Sequence, residues 1–468
     1  MDDISKNSRR GFIKKVAGTA LAGAAVPGLA LGRDKQLLVP GKNPFSDKKF
    51  TANDKIRLGV VGAGIISHFN IDSALAVNGV ELVAACDLYD GRLKQVKEKY
   101  GQHIFTTRDY KELISRNDVD AVLVATSDHW HDHITIAALD AGKAVYCEKP
   151  MVHKIEEGAA MIRAEKKNGG VLQIGSNPTS GITLQKVKEL YESGAIGQLV
   201  LVDAVNDRHS ALGAWQYSIP RDASTTNIDW DRFIGDAPKV AFDPVRFFRW
   251  RNYQDYGTGI AGDLYVHLYS ALHFVTGSTG PERIYASGGL RYWKDGRDVP
   301  DVMVSIADYP ATDRHPAFQF TTRVNFVAGG DRDGGVTFVG SEGSIKVLGN
   351  RIILSKDPIP EAPGYGGYDS LFTFPQETQD EYVKYYNEKY YSARKRLDVP
   401  PVEYSAPQGY DNRVDHWINF ARGIREGHKI VQNGEFGLRA AAPSLAANLS
   451  YFNRKMIDWD PVKMALKK

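Results

Sequence analysis

Ile56-Arg57-Leu58-Gly59-Val60-Val61 runs directly into Gly62-Ala63-Gly64-Ile65-Ile66-Ser67, and this stretch predicts a nucleotide-binding turn. The first six residues form an almost continuous apolar run, which is typical of a parallel strand buried on both faces. Gly62 permits a tight turn, and Gly64 lets a pyrophosphate approach the backbone at the N-terminus of the next helix. Ser67 replaces the third glycine of this fingerprint and is still small enough for close packing. We therefore expect a cofactor site lined by Gly62, Gly64, Ile65 and Ile66.

The second predicted strand, Val80 to Asp87, ends in an acidic residue. The number of residues between the glycine turn and Asp87 is close to that in dinucleotide-binding domains, where a carboxylate at this position accepts hydrogen bonds from the adenine ribose. The same carboxylate repels a 2′-phosphate. The sequence therefore favours NAD over NADP as the cofactor, while Arg92 nearby leaves NADP open.

Two further predicted strands are followed by polar loops. Ala121 to Ala125 leads into the loop Thr126 to His131, and Ala144 to Cys147 leads into Glu148-Lys149-Pro150. Loops at the carboxyl ends of parallel strands meet at the ligand crevice of such a sheet. We therefore expect both loops to contact the nicotinamide half of the cofactor, through Thr126, Asp128, His131, Glu148 and Lys149.

The composition narrows the class of protein. The chain has 468 residues, 43% of them hydrophobic, and its 59 Lys and Arg against 56 Asp and Glu give a net charge of only +3. These values exclude a disordered chain and a coiled coil, and they do not indicate a nucleic-acid binder. The length predicts two or three domains. Two cysteines, Cys86 and Cys147, cannot build a disulfide scaffold, and both end predicted buried strands.

The N-terminus resembles a twin-arginine export signal. Ser8-Arg9-Arg10-Gly11-Phe12-Ile13-Lys14 precedes Val16 to Gly28, an uncharged run of mostly small residues that is too short to anchor the protein in a bilayer. We expect residues 1–32 to be the signal peptide and residues 33–54 a linker. The resemblance implies export of the folded protein to the periplasm, with no membrane span in the mature chain.

The motifs together resemble those of the Gfo/Idh/MocA oxidoreductases, which include glucose–fructose oxidoreductase and inositol dehydrogenase. The resemblance is carried by Gly62-Ala63-Gly64, by Thr126 to His131 and by Cys147-Glu148-Lys149-Pro150. Family members usually have Thr-Pro-Asn-x-x-His in the third-strand loop, where this chain has Ser127 and Asp128 in place of Pro and Asn.

This resemblance implies an α/β protein of two domains. Residues 55–175 would form a Rossmann doubly wound parallel sheet that binds NAD. Residues 176–468 would form an α+β domain for substrate binding and oligomerisation, built on a large, open, mostly antiparallel sheet with helices on one face. Its C-terminal helix, near Ala440 to Met456, would pack back on the domain junction. An open sheet face favours a homo-oligomer, either a dimer or a tetramer.

Asp263 and His267 resemble the family's Asp-x-x-x-His element. Residues four apart on an α-helix share a face, so Asp263 could orient the His267 imidazole. From the pair alone, Asp263 could equally be a helix N-cap and His267 a core residue. The resemblance implies that His267 is the general base and that Lys149 donates a hydrogen bond to the reacting hydroxyl.

Substrate-binding candidates come from aromatic and basic runs. Aromatic faces stack on sugars and arginines bind hydroxyls or carboxylates, although such a run can also be a loop or an interface. The candidates are Arg249, Trp250, Tyr253 and His209, with Arg208 and Trp215 to Tyr217 as similar residues. We expect no metal at His129, His131 and His133, because no Glu follows the first His and the loop is assigned to the cofactor.

The leading functional hypothesis is an exported NAD-dependent oxidoreductase that acts on a hydroxyl carbon of a sugar, polyol or glycoside. A second is an NAD-dependent glycosidase or lyase that transiently oxidises the sugar C3 and eliminates the aglycone. This reaction needs a further base for the C2 proton, and Tyr265, His209 and Tyr253 are its candidates. A third is a non-catalytic sugar-binding protein. In each case the partner is a small carbohydrate, and no nucleic acid is expected.

Overall fold

The computed structural model describes residues 34–51, 54–330, 334–359, 362–390 and 399–467. The predicted signal peptide, residues 1–32, lies outside the described residues. Within the described ranges, no helix has the length and apolar character needed to cross a membrane.

The first domain is built on six parallel strands. The first strand of the chain, β1 (Asp34–Leu37), belongs to the other sheet. The six strands of the first domain are β2 (Ile56–Val61), β3 (Val80–Cys86), β4 (Phe105–Thr107), β5 (Ala121–Val124), β6 (Ala144–Cys147) and β7 (Leu172–Ile174). They lie in the order β4-β3-β2-β5-β6-β7. The crossover helices are α1 (Ile65–Leu75), α2 (Asp90–Tyr100), α3 (Tyr110–Ile114), α4 (His131–Asp140) and α5 (Gly158–Asn168). Because the strand order reverses between β2 and β5, a ligand crevice opens there.

The second sheet has eleven strands in mixed directions. After β1 they are β8 (Leu199–Val205), β9 (Arg283–Gly289), β10 (Val302–Tyr309), β11 (Phe318–Asn325), β12 (Gly335–Gly340), β13 (Gly343–Leu348), β14 (Arg351–Lys356), β15 (Val402–Ser405), β16 (Ile457–Asp460) and β17 (Ala465–Leu466). Their order is β1-β15-β14-β13-β12-β8-β11-β10-β9-β16-β17. Among the described strands of this sheet, only the β1–β15 and β8–β11 pairs are parallel. The predicted fold class, a Rossmann domain plus a large and mostly antiparallel sheet, is confirmed.

Helices cover one face of this sheet. The domain contains α6 (Ile182–Glu192), α7 (Trp230–Ile234), α8 (Pro244–Phe248), α9 (Val266–Thr276), α10 (Gln376–Tyr390), α11 (Asn412–Glu426) and α12 (Gly434–Asn453). Helix α12 contacts β9 and α9, and it also contacts α5 and β7 of the first domain. In β10, Met303 and Ala307 are fully buried, whereas Val304 and Ile306 are exposed. This alternation shows that the opposite face of the sheet is open.

The segment predicted as a linker is partly structured, which corrects that prediction. Strand β1 pairs with β15, and Phe45 is buried. The Arg425 guanidinium lies 4.8 Å from the Phe45 ring and 4.0 Å from the Phe50 ring. Two aromatic residues therefore dock an otherwise polar segment on α11, and so sparse an anchor leaves no periodic pattern in the sequence.

Helix α11 was not predicted, yet it joins the two domains. Its Trp417 donates a hydrogen bond from Nε1 to Asn70 Oδ1 of α1 at 3.0 Å. The same indole stacks on Tyr146 of β6 with ring centroids 4.4 Å apart. These contacts set the first turn of α11, with Asn412 and Arg413, at the rim of the crevice.

Candidate active site

A cavity of about 810 Å³ extends from the glycine turn of the first domain to the helices of the second. All the residues predicted to bind the cofactor or to act in catalysis line it. They are Gly62, Gly64, Ile65, Ile66, Asp87, Thr126, Asp128, His131, Glu148, Lys149, Asp263 and His267. The site therefore combines loops at the carboxyl ends of β2, β3, β5 and β6 with the first turn of α9 and the segment that leads into it.

The glycine turn fits a pyrophosphate. Gly62 has φ +89°, and a Cβ there would lie 2.5 Å from the carbonyl oxygen of Ala125, so only glycine suits the position. Gly64 precedes α1, whose first turn contains no acidic residue, and no side chain of the described ranges caps this helix. The first N–H groups of α1 therefore have no side-chain acceptor and open onto the cavity, where an anion would satisfy them.

Asp87 fixes the same turn. Its Oδ2 accepts a hydrogen bond from the Ala63 N–H at 2.8 Å, and its Oδ1 accepts one from the Tyr89 N–H at 2.9 Å. Each carboxylate oxygen has a second lone pair, which can accept from a ribose hydroxyl in the cavity. The Arg92 guanidinium lies 3.5 Å from Asp87 Oδ2 and 5.3 Å from the Phe248 ring.

Replacing Asp87 with Ser is expected to raise the ratio of kcat/KM for NADP to that for NAD by about 10- to 100-fold, because a charge-assisted contact contributes roughly 1.5–3 kcal/mol. The substitution removes the carboxylate that repels a 2′-phosphate and frees the guanidinium of Arg92. Initial rates with the two cofactors measure the ratio. Adding Arg92→Ala to the variant should abolish the gain, and an unchanged ratio in D87S would contradict this role of Asp87.

Asp128 connects the two domains. Its buried Oδ2 accepts hydrogen bonds from the Thr258 N–H at 3.0 Å and from Thr258 Oγ1 at 2.7 Å. Burial raises the pKa of this carboxyl group. The side chain predicted to contact the cofactor thus also holds the segment that precedes α9.

His131 offers an unused acceptor at the cofactor end of the loop. Its Nδ1 lies 2.7 Å from the Pro150 carbonyl oxygen, so Nδ1–H donates and Nε2 carries a lone pair. Nε2 is buried and has no hydrogen-bond partner among the described residues. An amide N–H, such as that of a nicotinamide carboxamide, would satisfy it.

Glu148 supports the cavity wall. This buried residue accepts a hydrogen bond from Asn70 Nδ2 at 2.8 Å and one from the Lys149 N–H at 3.1 Å. Burial raises the pKa of Glu148. Because Asn70 also receives the indole N–H of Trp417, the carboxylate links the loop after β6 to α1 and α11.

The neighbouring histidines bind protein groups. His129 Nε2 lies 2.8 Å from the Phe233 carbonyl oxygen, and burial lowers the pKa of His129 to about 4. His133 Nδ1 lies 2.7 Å from Asp132 Oδ1. In the part of the chain that the structure describes, no group of three or more His, Cys, Asp or Glu could hold a metal ion.

Lys149 and Asp263 form a nearly buried ion pair at the other end of the cavity. Lys149 Nζ donates to Asp263 Oδ1 at 3.0 Å and to the Asp263 carbonyl oxygen at 3.1 Å. Arg251 Nε donates to the same Oδ1 at 3.2 Å. Burial alone would raise the pKa of Asp263, but the charges of Lys149 and Arg251 hold it well below its usual range.

The expected hydrogen bond between Asp263 and His267 does not form among the described residues, which corrects the predicted orienting role. Ala261–Tyr265 is a π-helical turn that continues into α9. A π turn changes the angular spacing of side chains, so the Asp263 carboxylate meets Lys149 and Arg251 instead. Asp263 positions the Lys149 ammonium instead, and its charge still acts on His267.

His267 is a neutral imidazole. Burial and the charges of Lys149 and Arg208 lower its pKa from 6.5 to about 3, although the Asp263 charge opposes them. At neutral pH the ring therefore keeps a lone pair that can accept a proton from a ligand in the cavity.

Of the four candidate substrate residues, only Trp250 lines the cavity. Arg249 Nε donates to the Tyr217 carbonyl oxygen at 2.9 Å. Tyr253 is buried against the Arg246 guanidinium, 4.4 Å from its ring. His209 is exposed and accepts a hydrogen bond from the Gly329 N–H. The structure thus does not bring Arg249, Tyr253 and His209 to the site.

The cavity also has walls that sequence reasoning did not assign. Arg251 follows Trp250, and the aromatic and basic run around it was the only signal for it. Asn412 and Arg413 come from the first turn of α11, which begins after the N-cap Asp411. The weaker candidates Arg208, Trp215 and Tyr217 do line the cavity.

Comparisons with known proteins find sequence matches mainly to the first domain. A family model described as oxidoreductase family, NAD-binding Rossmann fold (GFO_IDH_MocA), matches residues 56–176. Over 169 residues the chain is 36% identical to the inositol 2-dehydrogenase of Salmonella typhimurium, which covers 36% of this chain and 49% of that enzyme. The chain thus spans about half the length of the curated relatives it matches.

Two solved structures share the fold over most of the chain. The WlbA dehydrogenase from Bordetella pertussis, solved with NADH and UDP-GlcNAcA, has a TM-score of 0.60 at 18% identity and covers 87% of this chain and 99% of that one. A levoglucosan dehydrogenase, solved with NADH and levoglucosan, has a TM-score of 0.59 at 18% identity, covering 86% and 99%. At these identities the likeness shows the fold alone. The sequence match and the geometry of residues 56–176 identify this part of the chain as an NAD-binding Rossmann domain of the Gfo/Idh/MocA oxidoreductase type.

Proposed function

We propose that the protein is an NAD-dependent dehydrogenase that oxidises a secondary hydroxyl group of a sugar, polyol or glycoside. One observation carries the proposal: Lys149 and His267 lie in the same cavity as the glycine turn. The names of the relatives, inositol 2-dehydrogenase and levoglucosan dehydrogenase, support this substrate class.

NAD, when bound, supplies the hydride acceptor. The reacting carbon loses a hydride with its electron pair, the hydroxyl oxygen loses a proton, and the alcohol becomes a ketone. His267 accepts the proton, because its ring is neutral at the pH of the reaction.

Lys149 stabilises the negative charge that develops on the hydroxyl oxygen. Two of its three N–H bonds point at the Asp263 carboxylate and carbonyl oxygens. The third can donate to the substrate, and a donor held in place before the reaction lowers the barrier more than a mobile one does. The Asp263 pair therefore fixes the direction of that donor.

The alternative glycosidase or lyase reaction needs a second base, and none of its three candidates lines the cavity. Tyr265 is fully buried and donates from its hydroxyl to the Met303 carbonyl oxygen at 2.8 Å. Tyr253 and His209 lie elsewhere, as described above. These positions favour net oxidation over transient oxidation.

The direct test is to add NAD and a panel of free sugars, polyols and aryl glycosides to the purified protein. Accumulation of NADH without release of the aryl group supports the dehydrogenase. Release of the aryl group without net NADH would replace it with glycoside cleavage. Absence of both reactions, together with NAD binding, would favour a non-catalytic sugar-binding protein.

We also propose a homo-oligomer, formed through the open face of the large sheet. Tyr285, Val304 and Ile306 are exposed there, and Tyr285 is the cross-strand partner of Ile306. Apolar side chains that adjoin on an open sheet favour association. Sedimentation of Ile306→Lys against the unmodified protein tests this, since the charge should dissociate the assembly.

Export to the periplasm is a further proposal, which rests on the Arg9-Arg10 pair of the N-terminal segment. Cell fractionation of a double Arg9→Lys, Arg10→Lys variant tests it. Retention of the variant in the cytoplasm is expected, and unchanged export would contradict the twin-arginine route.

A further inference from the structure

The positively charged side chains around the reacting groups do not all have a carboxylate partner among the described residues. Asp263 is paired with both Lys149 and Arg251, at 3.0 Å and 3.2 Å. Arg208 lines the same cavity and forms no ion pair with any described residue. One guanidinium charge therefore lies beside the reacting groups without a carboxylate partner.

The geometry of Arg208 leaves part of its guanidinium available. Nη1 donates to the Gly213 carbonyl oxygen at 3.1 Å, and the group lies 5.8 Å from the Phe326 ring. Nε and Nη2 donate to no described acceptor. A guanidinium presents parallel N–H bonds that match the two oxygens of a carboxylate.

Arg208 is also close to the proposed base. Its positive charge contributes to the lowered pKa values of His267 and Asp263. It further acts on the hydroxyl of Tyr217, another cavity residue. A ligand group bound to Arg208 would therefore lie in the same compartment as the reacting hydroxyl.

The loop that carries Arg208 is held firmly. The Arg208 N–H donates to the Asn325 carbonyl oxygen of β11 at 2.8 Å. Farther along, Trp215 is buried in the left-handed region with φ +64°. Arg297 Nη2 donates to the Ala214 carbonyl oxygen at 2.8 Å and fixes that conformation. Such strain is retained where the surrounding structure demands it, and it is concentrated at ligand sites.

We propose that the substrate is an acidic sugar, a uronate or an aldonate, whose carboxylate binds the Nε and Nη2 side of Arg208. This inference rests on the proposed dehydrogenase function and narrows its substrate class. A neutral sugar would leave the partly buried guanidinium without a counter-charge, and such a charge is costly to desolvate. A carboxylate supplies the counter-charge and fixes the sugar in one orientation.

The test compares hexuronates and aldonates with their methyl esters, which keep nearly the same shape without the charge. Binding to the NAD-loaded protein is followed by tryptophan fluorescence, because Trp215 and Trp250 line the cavity. Initial rates of NADH formation are measured in parallel. The acid that binds best is expected to have a Kd about 10- to 100-fold below that of its ester, as for other charge-assisted contacts.

Three variants test whether Arg208 causes the preference for the acid over its ester. Arg208→Gln should remove the preference for the acid and leave binding of the ester nearly unchanged. Arg208→Lys should keep part of the preference, because it retains the positive charge but lacks the parallel N–H bonds of the guanidinium. Arg314→Gln, which alters an exposed arginine outside the cavity lining, is the matched control and should behave as the unmodified protein.

The outcomes separate this inference from the proposed function. Oxidation of neutral sugars at least as efficient as that of the acids would overturn the inference and leave the dehydrogenase standing. Equal binding of acids and esters, or a preference that persists in R208Q, would also overturn it. Acid-selective binding without NADH formation from any substrate would retain the carboxylate site and overturn the dehydrogenase.

Discussion

Replacing Lys149 with Met is expected to lower kcat by about 10²- to 10³-fold, the usual effect of removing one preorganised donor to a developing negative charge. Met has a similar length and no N–H to donate. The Asp263 carboxylate keeps its contact with Arg251 in the variant. Steady-state rates of NADH formation measure the effect.

Two controls accompany the Lys149 variant. NADH binding, measured by cofactor fluorescence, should remain within a few-fold of that of the unmodified protein, since the glycine turn is untouched. Lys166→Met changes an exposed lysine paired with Glu435 and should retain full activity. A Lys149 variant with kcat within about threefold of normal would refute the role of this lysine as the donor.

Replacing His267 with Asn is expected to lower kcat by about 10²- to 10⁴-fold, the usual contribution of a general base. Added imidazole should restore part of the rate in His267→Ala, because the cavity is large enough to admit the ring. The exposed His428→Asn is the matched control. Recovery of activity by imidazole in the His267→Ala variant, together with full activity of the His428→Asn control, would identify proton transfer as the impaired step. A fully active His267→Asn variant would eliminate His267 as the base.

The pH dependence follows from the lowered pKa. Acid inactivates the base by protonating it, and the pKa of His267 is lowered from 6.5 to about 3 by burial, Lys149 and Arg208. Its protonation therefore leaves kcat/KM level between about pH 8 and pH 5 and reduces it only in more acidic solution. A fall centred near pH 6.5 that disappears in H267N would contradict the neutral state of the ring.

The first domain was largely predictable from the sequence. Buried parallel strands are short apolar runs, and β2 and β6 have the predicted bounds, Ile56–Val61 and Ala144–Cys147. Strand β4, Phe105–Thr107, was missed because three partly buried residues make no recognisable pattern. The residues that follow these strands line one crevice, because the carboxyl ends of parallel strands lie at the same edge of the sheet.

The chemistry of the site was less predictable. Four-residue spacing indicated that Asp263 would face His267, but the π turn redirects it to Lys149, and nothing in the local sequence reveals such a turn. Arg251, rather than Arg249, reaches the site because a short 3₁₀ turn, Trp250–Asn252, sets which side chains point inward. Such details depend on tertiary packing, which periodicity does not encode.

The position of α11 shows the same limit. Its apolar face, with Trp417 and Phe420, is visible in the sequence only as an amphipathic pattern. That pattern does not reveal that the helix crosses to the first domain and contacts Asn70. Asn412 and Arg413 could therefore not be assigned to the cavity without the structure.

The most direct test of hydride transfer to NAD follows the hydrogen bound to the reacting carbon. A sugar substrate deuterated at its carbon positions is mixed with the NAD-loaded protein, and the cofactor is examined by mass spectrometry after one turnover. We expect deuterium in the reduced cofactor, a slower rate than with the unlabelled sugar, and a much slower transfer in the Lys149 and His267 variants. Product formation with no deuterium in the cofactor would contradict it.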